Sequence, residues 1–299
     1  MTPRKLALGI LKKMKFLPQK FFVEVFHEYY SGDRLDLKNP VTFNEKIQWL
    51  KVYYHKPILT QLVDKYKVRE YVKEKIGEEY LNDLLAVYDS TSEVDFDALP
   101  NSFVIKANHA FHYNLIVKDK SKLNLWKTKM RFRKWLQKNQ YYRGGKEWAY
   151  KNVPPKLIAE KFLKEEGKDV LSDYKFFCFN GVPKFIQVDT ERGTNDYRCY
   201  YDLEWKKLPF TTEKNTFFEG EIVQPKNLDD MITVSRKLAA DFPFVRVDLY
   251  NISGKILFGE MTFYPSDARK KYIPAEYNEI LGSYIQLPQI PPGKKRIDQ

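Results

Sequence analysis

The sequence predicts an α+β fold in which a helical N-terminal region leads into short strands and helices that alternate without a regular repeat. Three observations carry that expectation. The stretch PVTFNEKIQWL places Glu45 three residues after Thr42, a capping-box signature ahead of an apolar-periodic run. From Tyr80 the texture changes to β-rich runs, LLAVYDS and then FVIKANH after the breaker Pro100. Finally RVDLYNISGKILFGEMTF, Arg246 to Phe263, reads as two strands joined by a tight turn, and nothing between these landmarks repeats as a Rossmann or barrel unit would.

The elements follow in order. The opening MTPRKLALGILKKMKFLPQKFF repeats Leu6, Ile10, Met14 and Leu17 at helical spacing, with Lys5, Lys12, Lys13, Lys15 and Lys20 elsewhere. Two readings stand for it: peripheral contact with the acidic inner face of a membrane, or a helix packed on its own domain with solvated lysines, which is favoured. Its apolar segment is too short and too interrupted by charge for a cleaved signal. ILTQLVDKYKVREYVKEKIG is expected as one helix stopped by Gly77. A helix over 118–140 should follow the first strands, with Leu123, Trp126, Met130 and Leu136, and Trp135 nearby, as its apolar face. Its interleaved basic and aromatic residues would suit nucleic acid, but that face favours an ordinary amphipathic helix, so no nucleic-acid partner is expected. PPKLIAEKFL comes next, then a strand pair KFFCFNGVPKFIQVD about Asn180 and Gly181, a helix over 227–240, and the hairpin. PPGKKRIDQ reads as a loose tail.

Composition narrows the class. A chain of 299 residues can bury about three quarters of its unfolded surface, so no disulfide or metal staple is needed for folding. Cys178 and Cys199 sit in strand-like runs without a CxxC, which suits a reducing cytoplasm. No apolar run reaches the length of a membrane span. The excess of 51 Lys and Arg over 39 Asp and Glu leaves a net charge of +12, which favours an anionic partner such as an acidic polysaccharide.

The hairpin places acids where a sheet core prefers apolar residues, and carboxylates are rarely buried without a partner. A three-residue loop closed by Gly254 would pair Asn251 with Lys255. Counting outward sets Arg246 opposite Glu260 and Asp248 opposite Phe258. Arg246, Asp248, Glu260 and Thr262 then project from one side, with Asp248 and Glu260 diagonal neighbours about 7 Å apart at the backbone. Two carboxylates so spaced can clamp hard cations, and Mg²⁺ held this way usually carries nucleotide phosphates. An Arg246 to Glu260 ion pair with Asp248 solvated is the plain alternative.

Other segments supply what a nucleoside triphosphate requires: Lys106 at the end of strand FVIK, the loop NHAFHYN, Glu160 in LIAEKFL and Lys175 in DYKFF. With FNEKIQWLK, LVDKYKVREYV, YYRGGKEWAYKNV, FPFVRVDLYNISGKILFGEMTFYP and LGSYIQLP, this order resembles the ATP-grasp superfamily. It is most similar to the TupA-like branch, named for a teichuronopeptide biosynthesis protein, from about Phe43 to Pro288. The resemblance implies two α+β subdomains sandwiching ATP. Residues 1–78 would form the helical N-terminal region, 79–165 the subdomain with phosphate loop and adenine hinge, 166–288 the subdomain with the metal-binding hairpin, and 289–299 the tail.

By that resemblance Lys106 contacts the α- and β-phosphates, the loop from Asn108 to Asn114 covers the triphosphate, and Lys175 reaches the phosphates from the next strand. Glu160, Lys161, Phe162 and Leu163 would form the adenine hinge. Asp248 and Glu260 would be magnesium ligands, Thr262 would stand where many relatives place an Asn ligand, and Arg246 would face the reacting acyl phosphate. The loop departs from the family pattern: Ala110, Phe111, His112 and Tyr113 include no glycine, and FYPSDARKKY lacks the Ser-Gly common after the metal-binding strand. His112 could supply a side-chain phosphate donor instead, while His109 is either a catalytic group or a loop-anchoring hydrogen bonder.

The implied activity is an ATP-dependent, Mg²⁺-requiring carboxylate-amine ligase in cell-surface or capsular polysaccharide biosynthesis. Its partners would be an acidic or amino-sugar glycan, free or lipid-linked, and a small carboxylate or amine. Alternatives stay open at this stage. A glycan phosphotransferase would use the same ATP site. A glycosyltransferase has only the match Asp95, Phe96, Asp97. The glycine-free loop would also suit an ATP-grasp protein that has lost catalysis.

Overall fold

The computed structural model describes residues 2–164, 171–190, 197–213 and 220–298. Its first quarter is helical, with α1 (Pro3–Leu11), α2 (Gln19–Ser31), α3 (Phe43–Tyr53), α4 (Ile58–Val63) and α5 (Val68–Lys75). The capping box opens α3 as expected: Thr42 Oγ1 accepts from Glu45 N, and the Glu45 carboxylate accepts from Thr42 N. The stretch expected as one helix to Gly77 breaks in two, because Asp64 accepts from the backbone N–H of Tyr66 and Lys67 and so competes with helical pairing. That break sets Lys65 on a turn.

Two antiparallel sheets follow. In the first, β1 (Leu84–Tyr88), β2 (Phe103–Ala107), β3 (Asn114–Val117) and β4 (Leu157–Lys161) lie in the order β1-β4-β2-β3. Helix α6 (Leu125–Leu136) covers it through Phe132 and Trp135, with the short α7 (Gln140–Arg143) beyond. The helix expected over 118–140 is shorter because Asn124 caps it, accepting from Lys127 N. Its buried face differs from the expected one in part: Trp135 is buried as expected, but Trp126 is 72% exposed and Phe132 takes a core position. Asp95, of the Asp-Phe-Asp match, accepts from Asp97 N and Ala98 N and closes a turn, while Phe96 is buried.

The second sheet holds β5 (Asp173–Phe179), β6 (Val182–Thr190) and β7 (Tyr197–Tyr201), then β9 (Phe244–Ile252) and β10 (Lys255–Thr262), in the order β10-β9-β5-β6-β7. A two-stranded pair, β8 (Thr211–Thr212) and β11 (Tyr272–Ile273), flanks it, and α8 (Leu228–Ala239) packs against β5, β6 and β9. Asn180 and Gly181, at φ 48° and 80°, make the two-residue turn that the dipeptide predicts. The fold is the expected α+β arrangement with helices leading. The first helices belong to the larger core, since Phe43 meets Phe179, Phe244 and Tyr272 ring to ring. α9 (Tyr277–Ser283) packs on α3. The C-terminal segment is docked rather than loose: Ile297 N donates to Tyr53 O and His55 N donates to Ile297 O, both at 2.7 Å.

The hairpin register corrects the sequence reading. The turn has two residues, Ser253 and Gly254, so Ile252 pairs with Lys255. A bulge between Phe258 and Glu260 then shifts the pairing again, setting Asp248 opposite Glu260 and Arg246 opposite Thr262. Two single-residue slips restore the phase of a period-two strand, so all four residues still share a face. Gly259 makes the bulge possible, because a Cβ there would lie 2.9 Å from Asp248 O.

Where α9 meets α3, a Cβ on Gly282 would stand 2.2 Å from Val41 O and 2.7 Å from Phe43 N. Gly282→Ala should therefore destabilise the protein by about 1–3 kcal/mol through backbone overpacking. Urea melts of the variant and the parent check this, and equal midpoints would contradict it.

Candidate active site

Between the two sheets lies a cavity of about 430 Å³. The five-stranded sheet floors it with two transverse rows, since directly paired residues of antiparallel strands share a face. One row runs Glu260, Asp248, Lys175, Gln187, and the next runs Tyr250, Asp173, Asp189, Arg198. The alternate residues Phe176, Val247 and Leu249 point into the core. The opposite wall is Lys106, Asn114 and the loop Ala110–Tyr113, and Lys65 enters from the α4–α5 turn. The loop's aromatic residues line the cavity and leave it open.

Charges of both signs converge here: Lys65, Lys106, Lys175, Arg198 and Arg246 against Asp173, Asp189, Asp248 and Glu260. Arg246 grips Asp248 bidentately, donating from Nε to Oδ1 and from Nη2 to Oδ2 at 2.7 Å each. The same Nη2 donates to Glu260 Oε1 at 3.1 Å and Thr262 Oγ1 at 3.0 Å. Lys175 pairs with Asp173 and lies 3.5 Å from Asp189 and 3.3 Å from Asp248. Expected to reach phosphates, it is set among carboxylates at the floor. Lys65 Nζ lies 3.9 Å from Glu260 Oε2.

Burial and the nearby cations oppose each other at the two hairpin acids. It pushes Asp248 up to about 6 against the pull of Arg246 and Lys175. Burial acts on Glu260 in the same direction, yet Lys65, Arg246 and Lys175 outweigh it and hold that carboxyl at about 2. Arg246 is raised: burial opposes its charge, but Asp248 and Glu260 prevail. Burial lowers Lys65.

The expected metal ligands fit Mg²⁺ by their chemistry. Asp248 Oδ2, Glu260 Oε1 and Thr262 Oγ1 converge on one cationic nitrogen, so a positive group already sits where hard oxygen donors meet. Among the described residues no group of three or more His, Cys, Asp or Glu could hold a metal by itself. The site therefore suits an ion completed by phosphate and water rather than an all-protein cage.

The remaining expected residues divide. Lys106 lines the cavity, and its Nζ donates to Glu160 Oε2 at 2.6 Å, with Arg69 3.6 Å from the same carboxylate. The Glu160 side chain is thus an ion-pair partner for Lys106. Leu163 joins Val68, Leu81 and Phe258 around a small side pocket that also touches Lys65 and Lys106. Lys161 turns its side chain outward to Asp83, and Phe162 is half-buried. His112 lines the cavity at φ 62°, taking the left-handed conformation where the loop lacks glycine.

Asn108 and His109 lie beneath the loop and do not line the cavity. Asn108 Nδ2 donates to Asp64 Oδ1 and Pro154 O, its Oδ1 accepts from Lys156 N, and its carbonyl accepts from Lys65 N. His109, offered above as a catalytic group, has its ring nitrogens 3.1 Å from Asn108 Oδ1 and 3.2 Å from Trp135 O. It anchors the loop, and burial lowers its pKa.

Sequence reasoning missed Lys65, Asp173, Asp189 and Arg198. Period-two spacing with Lys175 could have found Asp173; Lys65 was hidden by reading its segment as one helix.

With this geometry in view, the family model for TupA-like ATP-grasp proteins matches residues 45–286. Comparison with curated proteins found no match. Similar solved structures include D-alanine–D-alanine ligase from Bacillus anthracis in complex with ATP, 16% identical, with 69% of this chain and 55% of that one covered and a TM-score of 0.41. Phosphoribosylamine–glycine ligase from Thermotoga maritima is 14% identical, with 69% and 48% covered and a TM-score of 0.42. The chain thus spans about half the length of each of these ligases.

The two acids should shape stability against pH in opposite senses. Asp248 is raised above its ordinary 3.8, so its contribution is complete below that value and is lost as pH rises through 6. Glu260 is lowered from 4.5, so its contribution is complete above that value and is lost as pH falls towards 2. Asp248→Asn should flatten the decline between about pH 4 and 6, and Glu260→Gln the decline on the acid side. Denaturant melts at stepped pH check both; slopes unchanged from the parent would refute the assignment.

Proposed function

Because this chain belongs to the TupA-like ATP-grasp family, we propose that it is an ATP-dependent carboxylate-amine ligase of cell-surface or capsular polysaccharide biosynthesis. ATP would phosphorylate a carboxylate, and an amine would then displace phosphate to leave an amide, ADP and phosphate. The observation that carries the reading is the convergence of Asp248, Glu260 and Thr262 on one cationic position, facing Lys65 and Lys106 across a cavity between two sheets.

Each part has a role in this reading. Val68, Leu81, Leu163 and Phe258 line a side pocket of about 30 Å³ beside the strand end at Lys161, which would widen to take adenine against these apolar side chains. Lys65 and Lys106 offset the charge of the triphosphate, with His112 as a further donor from the loop. Asp248, Glu260 and Thr262 would hold Mg²⁺, which when bound neutralises charge developing on the transferred phosphoryl group. Arg246, released from the carboxylates as the ion seats, would stabilise the oxyanion of the attacked acyl carbon. The acceptor would be an acidic or amino-sugar glycan, free or lipid-linked, joined to a small carboxylate or amine.

A cytoplasmic location is part of the same proposal, with peripheral contact at the inner membrane face through α1, whose Leu6 and Ile10 are 56% and 59% exposed. No described helix is long and apolar enough to cross a membrane.

The test is product analysis with the purified chain, Mg²⁺ and ATP. ADP and phosphate should accumulate only when carboxylate and amine are both present, and mass spectrometry should find the amide. Asp248→Asn and Glu260→Gln should each lower turnover by about 10²-fold or more. Phosphate retained on the sugar, or ADP release without any amide, would overturn the ligase assignment.

A further inference from the structure

A second cavity, also about 430 Å³, opens next to the first and shares Phe111 with it. Its walls come from the segment after α1, from α2, from α7 and from the loop that follows β10. None of these elements carried a role in the ligase reading.

The charge in this cavity is lopsided. Lys12, Lys13, Lys15, Arg143 and Arg269 line it, against the single carboxylate of Asp267. That carboxylate is already engaged, pairing with buried Lys51 at 2.5 Å and lying 3.8 Å from Arg269. Of the other four cations, Lys13 is exposed and three meet neutral partners instead. Lys12 Nζ donates to Tyr30 Oη at 3.3 Å and sits 3.5 Å from the Tyr29 ring centroid. Lys15 Nζ donates to Gly144 O at 3.2 Å. Arg143 Nη1 donates to Phe111 O at 3.3 Å and Gln140 Oε1 at 3.2 Å. Among the described residues none of Lys12, Lys13, Lys15 and Arg143 has a carboxylate within ion-pair distance. Burial lowers the pKa of Lys15, with Asp267 pulling it up and Lys12 pushing it down.

Lys12, Lys15 and Arg143 are therefore positioned without an ion-pair partner among the described residues. A single carboxylate would balance one of them. A phosphate brings about two charges and three acceptor oxygens, and it matches the planar fork of an arginine. Tyr30, Phe111 and Gln140 also line it and offer a sugar both ring and polar contacts, while the Arg269 guanidinium stacks on the Phe26 and Tyr30 rings.

We propose that this second cavity binds a phosphate-bearing sugar, presented by the acceptor substrate beside the ATP cavity. The word acceptor rests on the ligase reading; the anion site itself does not.

Calorimetry on the full chain with glucose 1-phosphate, inorganic phosphate and glucose as probes tests it, using Lys12→Glu combined with Lys13→Glu. Helix α1 and its flank contribute no buried side chain, so the double variant should melt with the parent. Glucose 1-phosphate should bind more tightly than either phosphate or glucose, more weakly as salt rises, and at least tenfold more weakly to the double variant. Lys65→Ala, in the first cavity, should leave that affinity unchanged. Equal affinity in the double variant, dependence on Lys65, or phosphate binding as well as the sugar phosphate would each overturn the proposal. So would capture by phosphatidylglycerol vesicles without glucose 1-phosphate binding, which would mark a membrane surface instead. Failure of the ligase reading is separable: sugar phosphate binding without amide formation leaves this site standing, whereas amide formation unaltered in KM by the double variant removes its link to the acceptor.

Discussion

The guanidinium of Arg246 is the interaction on which the central sheet face depends. It bonds both oxygens of Asp248 and reaches Glu260 and Thr262 on the neighbouring strand. Without it, one buried carboxylate and one partly exposed carboxylate would face each other in direct register, an arrangement that desolvation and like-charge repulsion both oppose. Lys175 repeats the device one strand further on, among Asp173, Asp189 and Asp248. The floor of the cavity is thus a set of paired carboxylates bridged by Arg246, Lys175 and Arg198, fixed by strand pairing before any ligand arrives.

That lattice needs the helical N-terminal region as much as the sheets. Asp64 interrupts a helix by accepting from Tyr66 N and Lys67 N, and it also receives the Asn108 amide. Asn108 returns its carbonyl to Lys65 N. One turn and one loop so hold each other, and Lys65 arrives opposite Glu260 as a result. The glycine-free loop is held from below by His109 against Trp135 O and from the side by Arg143 on Phe111 O, while the Tyr113 ring stacks on Trp135. Fixed loop geometry here comes from side chains rather than from glycine's backbone freedom.

Much of this was legible because it is local. A capping box is decided within four residues, a two-residue turn by Asn180 and Gly181, and a sheet face by alternation along one strand. The shared face of Arg246, Asp248, Glu260 and Thr262 survived an incorrect register for the same reason. A shorter turn and a bulge at Gly259 each slipped the pairing by one residue, and a period of two absorbs a slip of two. His109 and Lys161 were less legible, since nothing in a tripeptide tells a cavity-lining side chain from one turned under a loop or out to solvent.

By itself the sequence determined the α+β class and the side of the hairpin on which the acids stand, through short-range periodicity and capping, while its ordered motifs carried the family resemblance. Only the tertiary structure decided that Arg246 bridges those acids, that Lys65 and Lys106 face them across a cleft, and that Ile297 docks the C-terminal segment on Tyr53. The physical reason is that charge pairing and burial depend on contacts between segments far apart in the chain, and no local pattern encodes the distance across a cavity.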